Sequence, residues 1–237
     1  MVPGIDLRVP GLAELHRRRS QKWANHPDDV LAATVAELDF PLAPPVAAAL
    51  RAAVDRHDLG YATPAPARLR ELLAAFAARR LGWQIDPEQV TVVPDVMAGL
   101  IELSRALVAP DESVTFATPA YPPFFDELAA AAPARAVPLR ADGSFDLDGL
   151  SAALRTGTRA LVLVNPHNPT GRVLPREELT AVAELCAEHG AWVLADEIHA
   201  PLVLPGARHT PWLEVSEEAR ACGIVLTSGR RRSTSRA

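Results

Sequence analysis

The chain has 237 residues, of which 49% are hydrophobic and 22% are charged, and its formal net charge is −5. This composition is typical of a folded globular protein and offers no basic field that would attract nucleic acid or an anionic membrane. No run of about 18 apolar residues occurs, so we expect no transmembrane helix.

The N-terminal third of the chain contains a poorly patterned segment followed by two helix candidates. Residues 1–40 are irregular, with one short polar helix candidate near Leu12–Arg19. An Ala-rich amphipathic helix is predicted over Val46–Asp55. A second helix is predicted over Pro66–Leu81, and Gly82 suits its end.

After these helices, short apolar strand candidates alternate with helix candidates. A short β-branched run at Val90–Val93 comes first, and the strand candidates then are Ser113–Ala117, Arg135–Leu139, Arg159–Val164, Ala191–Ala195 and Gly223–Thr227. The helix candidates between them are Val96–Leu107, Phe124–Ala132, Leu147–Leu154 and Arg176–His189. Such alternation predicts βαβ units, and hence an α/β fold with a mainly parallel sheet between two helical layers.

Three polar clusters directly follow predicted strands: Asn165–Gly171, Asp196–His199 and Ser228. Ligands of open parallel sheets bind outside the carboxyl ends of the strands. We therefore expect a ligand site at that edge of the sheet.

The first cluster, N-P-H-N-P-T-G over residues 165–171, contains two Asn-Pro pairs and a glycine. These residues predict a fixed, non-helical turn. Asn168 can donate an amide N–H to an anionic ring oxygen. A Pro-rich turn without a functional role is the alternative.

In the second cluster, Asp196 comes directly after the buried strand candidate, where a carboxylate needs a cationic partner. A protonated pyridine nitrogen is such a partner, and an ionised carboxylate would keep that ring able to accept carbanion charge. The alternative is an aspartate that caps a helix.

Other residues are weaker candidates for contacts with a phosphorylated ring. Ser228 follows the last strand candidate with a turn that suits a phosphate. The amides of Val96 and Met97 open a predicted helix, where phosphate binds well. Tyr121, between prolines, is flat enough to stack on a ring, although a core tyrosine is the alternative.

The order and spacing of these motifs resemble the class I/II aminotransferase superfamily, whose members are pyridoxal-phosphate (PLP) enzymes of fold type I. Within it, the cystathionine β-lyase or cysteine-S-conjugate β-lyase subfamily is most similar. Ser20–Trp23 resembles its S-x-K-W string, and Ala36–Pro41 resembles its A-D-M-D-F-P string apart from Glu37 and Leu38. Gly60-Tyr61 and Asp196–His199 also match, over a resemblance that covers nearly all of residues 12–229.

The resemblance implies PLP as the cofactor and assigns its contacts. Asp196 would pair with the pyridine nitrogen, Asn168 would bond the phenolic oxygen, and Tyr121 would stack on the ring. The phosphate would be held by the amides of Val96 and Met97 and by the Ser228 hydroxyl.

Two further site residues follow from the same resemblance. Tyr61 would reach the phosphate of the neighbouring subunit, because sites of this family lie at a homodimer interface. His199 belongs to the cofactor site and favours the lyases, since many aminotransferases carry tyrosine there.

The implied activity is α,β-elimination from cystathionine or another L-cysteine S-conjugate, which releases a thiol, pyruvate and ammonia. An aminotransferase is one alternative, and a non-catalytic remnant of such an enzyme is another. The expected partners are a small amino-acid substrate and a second copy of the chain, without nucleic acid or membrane. Cys186 and Cys222 have no metal or redox spacing, so we expect no metal site and a cytoplasmic location.

The chain departs from the family where the Schiff-base lysine should stand, three residues after Ser228. Arg231 occupies that position, and a guanidinium stays protonated and cannot form the Schiff base. Lys22 is the only lysine in the chain and matches a different family position. We therefore assign no catalytic residue and expect the chain as it stands to be inactive.

The basic tail, residues 230–237, fits no family pattern. One G/C-rich coding of the expected family peptide, read one base later, translates into this tail, so we hypothesise a frameshift and an early stop. The expected organisation is an N-terminal segment over residues 1–45, a PLP-binding large domain over 46–229 that is incomplete at its C-terminus, and the tail.

Overall fold

The computed structural model describes residues 9–27, 29–61 and 66–228. It divides into two units, the first described up to Tyr61 and the second described from Pro66 to Ser228. The predicted organisation into residues 1–45, 46–229 and 230–237 stays a prediction.

The first unit contains three helices: α1 (Leu12–Leu15), α2 (Gln21–Ala24) and α3 (Pro44–Asp55). The predicted helix over Leu12–Arg19 stops at Leu15, and helix resumes after Ser20, which has extended backbone. Two prolines occupy the first turn of α3, where a missing N–H breaks no helical bond. A small core of Leu15, Trp23 and Ala32 holds the unit.

The second unit carries five helices and five strands among its described residues. The helices are α4 (Ala67–Leu81), α5 (Val96–Leu107), α6 (Leu147–Arg155), α7 (Arg176–Glu188) and α8 (Glu217–Cys222). The strands are β1 (Ser113–Thr118), β2 (Ala134–Pro138), β3 (Thr158–Val164), β4 (Trp192–Asp196) and β5 (Gly223–Leu226). One π-helical turn over Phe124–Leu128 and 3₁₀ turns at Pro87–Gln89, Ala200–Leu202 and Trp212–Glu214 complete it.

The five strands form one parallel sheet in the order β2-β1-β3-β4-β5. Side chains alternate between its faces: Leu161 of β3 packs in the core beneath α6 and α7, and the next residue, Val162, packs beneath α5. Both faces are covered by helices, so β3 is apolar along most of its length. The prediction of a parallel sheet between two helical layers is confirmed.

Three predicted elements differ from the structure. Val90–Val93 lies in no strand, and Val92 and Val93 are exposed, because no described neighbour pairs with this run. The predicted helix over Phe124–Ala132 is only the π-helical turn. Helix α8 was not predicted, although Ser216 caps it by accepting a hydrogen bond from Ala219 N at 3.2 Å.

Two sequence-based exclusions can be compared with the described residues. None of their helices has both the length and the apolar character needed to cross a bilayer. Likewise, within those residues no three His, Cys, Asp or Glu side chains gather in a way that could hold a metal ion.

Candidate cofactor site

The polar clusters that follow β3, β4 and β5 meet at one edge of the sheet. These strands are adjacent and parallel, so their carboxyl ends point the same way. Hydrogen bonds continue beyond the strands: Asn165 N donates to Asp196 O at 3.0 Å, and Glu197 N donates to Leu226 O at 2.9 Å. Asp196 is therefore flanked by the turn after β3 and by the segment that leads to Ser228.

The turn over residues 165–171 is closed by its own hydrogen bonds. His167 N donates to Arg172 O at 2.8 Å, and Gly171 N donates to His167 O at 2.7 Å. The buried side chain of Asn165 accepts a hydrogen bond from Leu174 N at 3.0 Å through Oδ1. Asn165 and His167 are buried, whereas Asn168 is half-buried and keeps accessible surface in the turn.

An ion pair beneath this turn was not predicted from the sequence. Arg172 donates to Glu178 through both terminal nitrogens, at 2.9 Å to Oε1 and 2.6 Å to Oε2, and this fork geometry fixes both side chains. Burial lowers the pKa of His167, and the positive charge of Arg172 lowers it further. His167 is thus neutral at pH 7 and adds no positive charge to the turn.

Asp196 ends β4 and is 8% exposed. Its Oδ1 accepts a hydrogen bond from Ile198 N at 3.0 Å, which orients the carboxylate. A cationic ligand that approaches the exposed part of this carboxylate would stabilise its charge.

Helix α5 packs against β5, and the first turn of this helix carries backbone amides. Asp95 caps this helix, and its Oδ1 accepts a hydrogen bond from Ala98 N at 2.8 Å. The first N–H groups of a helix have no acceptor within it, and those of Val96 and Met97 are in this first turn. The carboxylate of Asp95 lies at the same helix start and adds a negative charge beside these amides.

Gly99 explains how closely α5 approaches β5. A Cβ at residue 99 would lie 2.5 Å from Leu226 Cδ2, so only glycine allows this packing without movement of the leucine. Leu226 precedes Ser228 by two residues. The close contact therefore brings the start of α5 to the strand end that carries Ser228.

Tyr121 follows β1 and is 40% exposed, so it is not a core tyrosine. Its ring packs edge-on against Phe124, with centroids 5.8 Å apart, and Phe124 in turn contacts Phe116 of β1 at 5.5 Å. The two phenylalanines are buried and orient the tyrosine ring. Tyr121 thus offers exposed aromatic surface next to a strand end.

Two predicted site residues and the position of the expected lysine remain to be described. His199 is half-buried and precedes the 3₁₀ turn at Ala200–Leu202, three residues after Asp196. Tyr61 is fully exposed in the first unit. Arg231 and the basic tail lie outside the described residues.

A buried acid–base pair behind Asp196 is a second feature that sequence reasoning missed. Glu197 Oε1 accepts a hydrogen bond from Trp212 N at 2.6 Å. Glu197 Oε2 lies 3.2 Å from His209 Nε2, and both side chains are 3% exposed. Glu197 directly follows β4, and these contacts anchor the 209–212 segment to the end of that strand.

The chain is thus an α/β protein with a parallel sheet, a class in which ligands bind at the carboxyl edge of the sheet. Residues 29–230 match the family model described as Aminotransferase class I and II. The chain therefore belongs to this family, and the family predicted from the sequence is confirmed.

Individual relatives agree with the cystathionine β-lyase branch. A Mycobacterium leprae protein with the provisional name cystathionine β-lyase is 42% identical over 226 residues, which cover 90% of this chain and 55% of the relative. The cystathionine β-lyase of Corynebacterium glutamicum is 37% identical over 222 residues, covering 94% of this chain and 59% of the relative.

A solved structure gives the same picture for the fold. A Corynebacterium diphtheriae protein, provisionally described as a PLP-dependent β-cystathionase, has a TM-score of 0.88 and 34% identity, covering 97% of this chain and 60% of that chain. The present chain thus spans between 55% and 60% of the length of these three relatives.

Proposed function

We propose that the carboxyl edge of the sheet binds PLP, in the manner of a C–S β-lyase of the aminotransferase class I and II family. The observation that carries this proposal is the buried carboxylate of Asp196, oriented by Ile198 N between the 165–171 turn and the strand that leads to Ser228. The names of the relatives support the choice of cofactor and of reaction class.

The residues present fit PLP at both of its charged ends. Asp196 would hold a proton on the pyridine nitrogen, and Asn168 would donate its side-chain amide to the phenolic oxygen. The amides of Val96 and Met97 and the hydroxyl of Ser228 would bind the phosphate. When bound, PLP supplies an electron sink for charge that develops at the substrate α-carbon.

Two further residues complete the proposed ring environment. Tyr121 would stack on one face of the ring, because its exposed surface is oriented by Phe124. His199 lies three residues after Asp196 and is proposed to face the same site.

The proposed parental reaction is β-elimination from cystathionine or another L-cysteine S-conjugate, which yields a thiol, pyruvate and ammonia. It requires a base that removes the α-proton, and the family uses its Schiff-base lysine for this. Arg231 stands at that position in this chain. We therefore expect the chain as it stands to bind the cofactor without turning over substrate.

The alternative parental activity is transamination, because aminotransferases share every proposed cofactor contact. The two reactions differ in their products: a lyase releases pyruvate from a cysteine S-conjugate in the absence of any keto acid, whereas an aminotransferase requires an acceptor. A binding protein without catalysis is the second alternative, and the substitution at Arg231 favours it for this chain.

A homodimer in the cytoplasm is the proposed assembly and location. Tyr61 is fully exposed and is proposed to reach the phosphate in the partner subunit. If so, Tyr61→Phe weakens PLP binding only under conditions in which the chain dimerises. Sedimentation velocity over a concentration series, combined with PLP titration, tests this, and an equal effect on monomer and dimer would contradict it.

The decisive experiment for the cofactor site is a PLP titration of the full chain, followed by absorbance and by quenching of tryptophan fluorescence. Asp196→Asn should weaken PLP binding at least tenfold, since removal of one partner of a buried charge pair typically costs about 2–5 kcal/mol. Asp148→Asn is the matched control, because the Asp148 side chain is 97% exposed on α6. If both variants lose affinity equally, or if neither variant loses affinity, the proposed role of Asp196 is refuted.

A further inference from the structure

Lys22 is the only lysine in the chain, and its amine is already engaged within the first unit. Its Nζ donates to Asp39 Oδ2 at 2.7 Å and to Glu37 O at 3.3 Å. The Lys22 side chain is 11% exposed, and Nζ lies 5.5 Å from the centroid of the Trp23 ring. The amine therefore has a carboxylate, a carbonyl and an aromatic ring around it.

Asp39 is the centre of this arrangement. Trp23 Nε1 donates to Asp39 Oδ1 at 2.8 Å, and Arg18 donates to Asp39 O at 2.8 Å. Partial burial raises the pKa of Asp39, but hydrogen bonds from Lys22 and Trp23 and the charges of Lys22 and Arg18 outweigh it and lower the pKa overall. Lys22 and Asp39 thus form an ion pair that holds the amine at Asp39 within the first unit.

The unit that carries the proposed site contains no lysine at all. Its candidate contacts reach the phosphate, the ring nitrogen, the phenolic oxygen and the ring face. None of them is assigned to the substituent on C4′ of the pyridine, where an aldehyde would otherwise be bonded to a lysine.

We propose that this chain recognises the phosphorylated pyridine alone, and that it binds the 4′-amine and 4′-alcohol forms of the cofactor about as well as the 4′-aldehyde. This inference rests on the proposed PLP site. All three forms share the phosphate and the ring nitrogen, which are the groups that Asp196, Ser228 and the start of α5 would bind. Binding is non-covalent in each case.

The expected differences in affinity are small. The C4′ substituent makes or loses about one hydrogen bond, so the three dissociation constants should agree within about tenfold, equivalent to about 1.4 kcal/mol. Asp196→Asn should weaken all three ligands in parallel, because the contact that it removes is common to them.

The test uses the full 237-residue chain and three probes: pyridoxal phosphate, pyridoxamine phosphate and pyridoxine phosphate. Dissociation constants come from fluorescence titration and equilibrium dialysis. A parallel pyridoxal phosphate sample is treated with borohydride and analysed by intact mass and peptide mapping. The control variant is Lys22→Arg, which keeps a cation beside Asp39 and removes the last lysine side chain.

Similar constants for the three probes, no reduced adduct and unchanged binding by a folded Lys22→Arg variant are the expected results. Pyridoxal phosphate binding more than about a hundredfold tighter than the other two, with an adduct mapped to Lys22 or to the α-amino group, would overturn the inference and leave the cofactor site standing. Failure of all three probes to bind would overturn the proposed function, and the inference with it.

Discussion

Replacement of Glu197 by alanine should be among the most destabilising single changes in the second unit. The substitution removes the acceptor of the 2.6 Å hydrogen bond from Trp212 N and the carboxylate that lies 3.2 Å from His209 Nε2. Both side chains of the pair are 3% exposed, so water cannot replace the lost partner without a structural change.

The magnitude follows from the cost of leaving the buried Trp212 N–H without an acceptor, about 1–3 kcal/mol, to which the cavity left by the buried Glu197 side chain adds. The total stability of a domain is about 5–15 kcal/mol, so Glu197→Ala should bring the unit close to its unfolding threshold. Glu197→Gln keeps an oxygen that can accept from Trp212 N and should cost less, about 1–2 kcal/mol.

Urea denaturation followed by tryptophan fluorescence measures these differences, because Trp212 is buried beside Glu197. Glu184→Ala, at an exposed position of α7, is the control and should change stability by less than about 0.5 kcal/mol. A loss below about 1 kcal/mol for Glu197→Ala, or equal losses for the alanine and glutamine variants, would show that the pair does not hold the 209–212 segment as described.

Three further outcomes are expected. Gly223→Ala should destabilise the chain by about 1–3 kcal/mol in the same assay, since the new Cβ would collide with the Trp212 indole. Asp95→Asn should tighten PLP binding about two- to fivefold. The asparagine keeps the helix cap and removes a negative charge, and a charge at a helix terminus contributes about 0.3–1 kcal/mol to such interactions. Burial raises the pKa of the Cys186 thiol from 9.0 to about 12, so stability should fall as pH rises from about 9 toward 12, where the unfolded thiol ionises first.

Each of these outcomes has a matched control. Gly60→Ala should be nearly neutral, because no atom lies within 4 Å of its added Cβ. Asp86→Asn changes another capping aspartate, which accepts from Glu88 N at 3.0 Å, and should leave PLP affinity unchanged. Cys186→Ala should remove the part of the stability loss at alkaline pH that arises from ionisation of the Cys186 thiol. If a variant and its control behave identically, the physical reason given for that variant is wrong.

Much of the fold was predictable because its determinants are local. The apolar run of β3 and the amphipathic pattern of α7 each lie within a stretch of at most 13 residues, and both elements occur where they were predicted. The parallel arrangement follows from the alternation of strands and helices, and parallel strands place their carboxyl ends together. For this reason the sequence alone also located Asn168 and Asp196 at one edge.

The contacts that join distant parts of the chain could not be predicted in the same way. Ser20–Trp23 and Ala36–Pro41 were recognised as separate strings, yet only the folded chain joins them, through Lys22, Trp23 and Asp39. Lys22 and Trp23 lie 17 and 16 residues before Asp39 in the sequence. No periodic pattern predicts such contacts, because the path of the intervening loop decides which side chains meet.

Glu197 and His209 show the same limit. The sequence places Glu197 after a buried strand but does not indicate which groups its side chain meets. The sequence by itself therefore determined the layers, the sheet and the chemistry of its carboxyl edge, since these depend on short-range pattern and residue type. The tertiary structure decided which groups the buried Glu197 meets and that the single lysine is bound to Asp39, because both depend on long-range chain packing.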